Sequence, residues 1–167
     1  MMWAVGRVSI SEMRTSAAAV PSSSSSSFGK NAKKKILIVD DDDDILFTIQ
    51  SVLKENGFDV DSFNCAPSAL ENFVPDVYTV AILDIKMPEM NGFELYEKIR
   101  EMDSKVRIIF LTAVTEMREY EGFRKKVFPK WGERHFVQKP IENEDLVERV
   151  NMMVVAYSNL YNSSAQA

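Results

Sequence analysis

The chain has 167 residues, 46% of them hydrophobic and 27% charged, which suits one globular domain with a proper core and some tail rather than two domains. A formal net charge of -5 argues against non-specific binding to nucleic acid or an anionic membrane, because phosphate groups attract a surplus of Lys and Arg. No apolar run approaches the roughly 18 residues needed to span a bilayer, and the single cysteine, Cys65, excludes an internal disulfide and fits a reducing compartment.

Residues 1–32 carry a six-serine run, Ser22–Ser27, and few apolar residues at any regular period, so they are expected to stay disordered as a tail. Two arginines and many serines give this stretch a faint transit-peptide look, but the apolar core of a secretory signal is missing. Beyond it the chain alternates. Ile36–Val39 is a continuous apolar run, followed at helical spacing by Ile45, Ile49, Val52 and Leu53, with Gly57 placed to end that helix. Phe58–Phe63 alternates polar and apolar like a strand, and Pro67–Phe73 follows as a short helix opened by its proline. Val80–Leu83 is the next strand, and Phe93, Leu95, Tyr96 and Ile99 then give a helical face. Val106–Leu111 makes a fourth strand, Phe136 and Val137 a short fifth, and Leu146, Val150, Met153 and Tyr157 stripe a last helix. Residues 158–167 are expected to fray as a second tail. Five strands with intervening helices predict an α/β fold, a parallel sheet covered on both faces.

In open α/β sheets, ligands bind beyond the carboxyl ends of the strands. Asp40 and Asp41 follow the first strand, Asp84 the third, Thr112 the fourth and Lys139 the fifth. Carboxylates held close together repel, and one takes a proton unless a cation neutralises the group. A hard divalent ion such as Mg²⁺ takes oxygen ligands and is commonly held by one or two carboxylates plus a substrate phosphate. A metal, a lysine and a hydroxyl around a carboxylate suit phosphoryl transfer, in which the carboxylate can itself be the nucleophile. Simpler readings compete: Thr112 as a strand former, Phe136 as core, and His135 as a surface histidine opening a strand. A calcium loop of the EF-hand type fails, because counting from Asp40 puts Ile45 where glycine is needed and Ser51 where a bidentate glutamate is needed.

The stretches ILIVDDDDDI, VAILDIKMPEMNGFEL, IIFLTA and FVQKPI, in that order, resemble the receiver domain of two-component response regulators, the CheY-like superfamily, over about Lys33 to Tyr157. The resemblance implies a flavodoxin-like, doubly wound sheet of strand order 2-1-3-4-5. It implies that Asp84 accepts a phosphoryl group from a sensor histidine kinase or a histidine phosphotransfer protein. Asp41, Asp84 and the backbone carbonyl of Lys86 would ligate Mg²⁺, and Asp40 would reach the ion through water. Thr112 matches the family's hydroxyl and would turn toward the phosphoryl oxygen, and Lys139 matches the lysine that would pair with it. Phe136 stands where the family has an aromatic switch, whose ring moves inward as Thr112 shifts; lacking a hydroxyl, it would work by packing alone. The Lys139–Pro140 peptide would be cis. The output would be the surface formed by the fourth helix, fifth strand and fifth helix, with no enzymatic activity beyond intrinsic phosphotransfer and autodephosphorylation. A stand-alone, cytoplasmic receiver, monomeric or weakly dimeric, is the form expected, with no direct contact to nucleic acid or membrane.

Two departures from the family pattern bear on function. The stretch from Thr112 to Lys139 is longer than usual and lacks the small-residue turn before the fifth strand. Its Arg124, Lys125, Lys126 and Lys130, beside Phe128, Pro129 and Trp131, make residues 116–135 a candidate surface for a downstream protein. Lys86 and Val114 flank the expected path of the attacking water and bear on phosphoryl lifetime. A metal-dependent phosphatase is disfavoured, since it would want an aspartate two residues after Asp84, where Lys86 stands. The alternative kept open is a phosphorylation-independent, receiver-like interaction module. The five aspartates fall into two groups, with Asp40 and Asp41 facing the metal and Asp42, Asp43 and Asp44 suited to a helix start.

Overall fold

The computed structural model describes residues 35–113, 121, 122, 125 and 135–164. Strands β1 (Lys35–Val39), β2 (Asp59–Phe63), β3 (Val80–Asp84), β4 (Arg107–Thr112) and β5 (Phe136–Gln138) form one parallel sheet in the order β2-β1-β3-β4-β5. Helices α1 (Asp43–Glu55), α2 (Ala66–Glu71) and α3 (Gly92–Met102) and a C-terminal helix (Asn143–Ser164) complete the described elements. The flavodoxin-like class and strand order expected from the sequence are those observed.

The continuous apolar strands follow from burial on both faces. Leu37, Ala81, Leu83, Ile108 and Phe110 point to a core closed by α2 and α3, which supply Ala66, Ala69, Phe93, Tyr96 and Ile99. Their neighbours Ile36, Ile38, Ile82, Ile109 and Leu111 point to a second core, closed by Leu46, Ile49 and Leu53 of α1 and by Leu146, Val150 and Met153 of the C-terminal helix. Side chains alternate across a strand, so two buried faces demand apolar residues at every position.

Local signals set the ends of α1. Asp42 caps its start, its carboxylate accepting from the amides of Asp44 at 3.0 Å and Ile45 at 3.2 Å, with Asp43 and Asp44 in the positively polarised first turn. At the other end Gly57 takes φ +82°, and the amides of Gly57 and Phe58 donate to the carbonyls of Lys54 and Leu53. That pair of bonds is a Schellman ending, and the left-handed backbone it needs favours glycine. Phe58, expected to begin the second strand, is spent on this ending, and β2 starts at Asp59. At the sheet's edge, Asp61 of β2 accepts from Lys35 Nζ at 2.9 Å and from the Tyr78 hydroxyl at 2.7 Å.

Two expectations need correction. The C-terminal helix runs to Ser164, through most of the expected 158–167 tail. No Gly or Pro interrupts residues 158–164, so polarity alone was a poor stop signal. His135 is not a surface residue: it is 8% exposed, and its Nδ1 lies 2.7 Å from the carbonyl of Ile108, which makes Nδ1–H the donor. Burial, joined by the charges of Arg107 and Arg100, holds its pKa below the usual imidazole value against the opposing pull of that bond. The folded state thus resists a proton that the unfolded chain takes up near pH 6.5, and stability is lost as pH falls through that value. We expect wild-type protein to lose stability relative to His135→Asn, which keeps a donor but does not titrate, by up to about 1.4 kcal/mol per pH unit below pH 6.5. Urea midpoints for both proteins between about pH 7.5 and pH 5.5 provide the check, and a constant difference would refute it.

The expected tail of residues 1–32 lies outside the described residues, as do Val114 and most of the 116–135 segment with the expected fourth helix. Within that segment Lys125 pairs with Glu121 at 2.8 Å. No helix among the described residues is long and apolar enough to cross a membrane.

Candidate functional site

The sheet order reverses between β1 and β3, and a crevice opens there beyond the carboxyl ends of the strands. Asp40 follows β1 directly, and Asp84 is the last residue of β3. Both are buried, whereas Asp41 is exposed. A cleft of about 430 Å³ is lined by Asp40, Asp41, Asp42, Ile45, Asp84, Lys86, Ala113 and Lys139. One carboxylate oxygen from each of Asp40, Asp41 and Asp84 lies within 4.8 Å of the others. Three oxygen donors at that spacing fit a hard divalent cation.

Lys139 reaches this group from the turn after β5. Its backbone amide donates to the Thr112 carbonyl at 2.8 Å, tying the ends of β4 and β5, and the Lys139–Pro140 peptide is cis. Its ammonium donates to Asp40 Oδ2 at 2.6 Å and also to Asp84 Oδ1. The other oxygens are held by backbone: Asp40 Oδ1 accepts from the Asp42 amide at 3.1 Å, and Asp84 Oδ2 from the Lys86 amide at 2.8 Å. One cation thus bridges two buried carboxylates, each fixed on its second oxygen by an amide two residues on.

Burial dominates the electrostatics. It pushes the Asp84 carboxyl up to about 6, against the lowering effect of Lys139 and the Lys86 amide, while the Asp40 charge adds to the rise. Asp40 is raised for the same first reason. Burial opposes the charge on Lys139 too, but its bonds to Asp40 and Asp84 outweigh that and hold its pKa above the usual lysine value. At neutral pH Asp84 is therefore an ionised, poorly hydrated carboxylate beside a fixed positive charge.

The β3–α3 connection that carries Lys86 is built against the sheet. Its Ile85 amide donates to the Leu111 carbonyl at 3.1 Å, and Ile85 and Met87 are buried in the core under α3. Asn91 caps α3, accepting from the Phe93 and Glu94 amides at 3.0 Å each, and Glu94 returns a carboxylate to the Asn91 amide at 2.9 Å. This reciprocal box was readable as Asn and Glu three apart before an apolar run. The role of Gly92 was not, since it depends on two backbones meeting: a Cβ there would stand 3.0 Å from the Asp84 carbonyl carbon and closer still to its oxygen.

Thr112 is fully buried, and its hydroxyl donates to the Ala113 carbonyl at 3.1 Å. Phe136 is 7% exposed, with its ring stacked on Phe110 at 5.1 Å. The ring expected to move inward is thus already seated in the core, as an aromatic without a polar handle prefers.

A family model described as the response regulator receiver domain matches residues 36–151. The chain belongs to that family. The receiver chain is 30% identical over 115 residues to the response regulator SaeR of Staphylococcus epidermidis, a match that covers 69% of this chain and 48% of SaeR. It is 29% identical over 107 residues to the response regulator receiver protein CpdR of Brucella abortus, covering 62% of this chain and 82% of CpdR. The chain spans about half the length of relatives such as SaeR. Among solved structures it is similar to a receiver domain protein from Clostridium thermocellum, with a TM-score of 0.64, 25% identity and coverage of 75% of this chain and 98% of that one. It is also similar to the response regulator TrrA of Thermotoga maritima in complex with Mg²⁺ and BeF, with a TM-score of 0.58, 29% identity and coverage of 72% and 98%.

Proposed function

We propose that this receiver is a phosphorylation switch in which Asp84 accepts a phosphoryl group, in a Mg²⁺-dependent reaction, from a phosphohistidine on a sensor kinase or phosphotransfer protein. The observation that carries the reading is the buried Asp84 carboxylate, bridged to Asp40 by Lys139 and set within 4.8 Å of the Asp40 and Asp41 carboxylates. In the transfer, an Asp84 oxygen forms the new P–O bond as the P–N bond to the donor imidazole breaks, and the leaving imidazole takes a proton from solvent. Mg²⁺ held by Asp41, Asp84 and the Lys86 carbonyl, with Asp40 reaching it through water, would neutralise charge on the transferring phosphoryl oxygens.

The chain's own residues prepare the rest. The Lys86 amide, donating to Asp84 Oδ2, orients the carboxylate so that Oδ1 is the oxygen shared with Lys139. When charge builds on the phosphoryl group, the Lys139 ammonium, already held beside the acceptor carboxylate, would turn a donor from Asp40 or Asp84 to receive it. The Thr112 hydroxyl, now on the Ala113 carbonyl, would turn to a phosphoryl oxygen, and the strand ends joined by the Lys139 amide would shift with it. Phe136 and the surface around β5 would carry the signal to a partner protein, with residues 116–135 as a docking segment. Such a switch would serve a cytoplasmic kinase.

The test is incorporation of phosphoryl from acetyl phosphate. We expect a Mg²⁺-dependent adduct in the wild type and none in Asp84→Asn, read by intact mass. An adduct that persists in the variant would move the acceptor elsewhere. No adduct at all would favour an interaction module that works without phosphorylation.

A further inference from the structure

We propose that Phe93 is a positioning residue that couples the Asp84 loop to β5, so that the first turn of α3 forms a mechanical route from the acceptor to Phe136 alongside Thr112. The proposal rests on Asp84 being the phosphoacceptor. Its starting point is the contact between α3 and the end of β3. The Gly92 amide donates to the Ile85 carbonyl at 2.9 Å, and the missing side chain lets the helix backbone lie directly on the Asp84 peptide. A Cβ at Gly92 would also come within 3.1 Å of Ile85 Cα, so no slack separates these two segments. A displacement of the Asp84 backbone must therefore displace the first turn of α3, which the Asn91–Glu94 box holds as a rigid unit.

The residue after Gly92 carries that displacement into the core. The Phe93 ring lies 4.9 Å from Phe110 and 6.3 Å from Phe136, and Phe136 is stacked on Phe110 with 27° between the planes. The three rings form one packed group, all buried, spanning α3, β4 and β5. Phe136 has no hydroxyl through which a hydrogen bond could reposition it, so its position answers to the rings it touches. Close-packed interiors transmit strain rather than absorb it. Tyr96, one turn along α3 from Gly92, meets the same Phe110 ring at 5.7 Å and is similarly buried. It supplies a matched control: it lies in the same helix and the same core but is a turn further from the Asp84 contact.

The experiment uses the full chain labelled with acetyl phosphate and Mg²⁺, with NMR shifts of the Phe136, Val137 and Gln138 amides as the readout. Wild type, Phe93→Leu and Tyr96→Leu are all expected to form the Asp84 adduct. The β5 shift response is expected to fall about 2- to 30-fold in Phe93→Leu, the range of coupling changes seen when a connecting residue is altered, and to persist in Tyr96→Leu. Phe93→Met, close in volume, carries the comparison if the leucine variant does not fold. An unchanged response in the Phe93 variants, an equal fall in the Phe93 and Tyr96 variants, or a silent β5 in labelled wild type would each overturn the route. Absence of the adduct in wild type would instead overturn the phosphoacceptor reading, and the route with it.

Discussion

Replacing Asp84 by asparagine is expected to stabilise the folded protein at neutral pH even as it removes the adduct. Asp84 sits near 6 in the fold because burial disfavours its charge, against an ordinary carboxylate value of 3.8. A raised carboxyl contributes stability that is complete below about pH 3.8 and is lost as pH rises through about 6. At pH 7.5 the wild type thus carries a penalty on the order of 2–3 kcal/mol, which the neutral amide avoids. Lys139 keeps Asp40 as its partner in the variant, so the ammonium is not stranded. Urea unfolding in the absence of divalent ions should show the higher midpoint for Asp84→Asn at pH 7.5, with the two curves converging near pH 4. A lower midpoint for the variant at pH 7.5 would mean that the Lys139 bridge outweighs the burial cost. Under the proposed phosphoacceptor role, the result would be a trade of stability for reactivity: an ionised carboxylate kept where water would otherwise solvate it would be a better nucleophile and a worse structural element.

Gly92→Ala is the second large effect. The added methyl would collide with the carbonyl of Asp84, a backbone group that cannot rotate away as a side chain could. Either α3 lifts from the end of β3, exposing Phe93 and Ile85, or the β3–α3 connection shifts and takes the Lys86 amide off Asp84 Oδ2. We expect a loss of about 3 kcal/mol or more, at the upper end of overpacking costs, together with slower Mg²⁺-dependent labelling. Gly57→Ala makes the informative comparison: its Cβ meets nothing within 4 Å, so it strains only a left-handed backbone remote from the cleft. Labelling that is equally fast in both variants would show that the close approach at Gly92 does not position the acceptor.

The sequence disclosed the fold to the extent that burial is periodic. Strands β1, β3 and β4 announce themselves because two cores require apolar residues at every position, and α1 because Asp42 and Gly57 carry its capping chemistry in their residue types. The membership of the site was legible for a related reason: a parallel sheet brings the residues that follow its strands to one edge, so Asp40, Asp84 and Lys139 could be grouped from sequence position alone. What stayed hidden depends on contacts between residues distant in the chain. His135 read as a surface residue by its type, yet it is held by a carbonyl 27 residues away. Lys139 was expected to pair with a phosphoryl group, and its two hydrogen bonds to Asp40 and Asp84 could not be read before the side chains were in place. Phe136 was readable as a core residue, but its partners Phe110 and Phe93 were not, since the three rings meet only once three elements have packed.

The charged rim of β2 bears on how this protein behaves in a crowd. An edge strand offers a row of open amides and carbonyls to any other extended chain, and a five-stranded sheet has two such borders. On one border, Asp59, whose side chain is 72% exposed, and Asp61 face Lys35, so an incoming strand would have to strip water from ionised groups before it could pair. On the other, β5 is only three residues long and gives a newcomer little ladder to extend. Among the described residues, both margins of the sheet thus discourage the edge-to-edge strand addition that leads to fibrils.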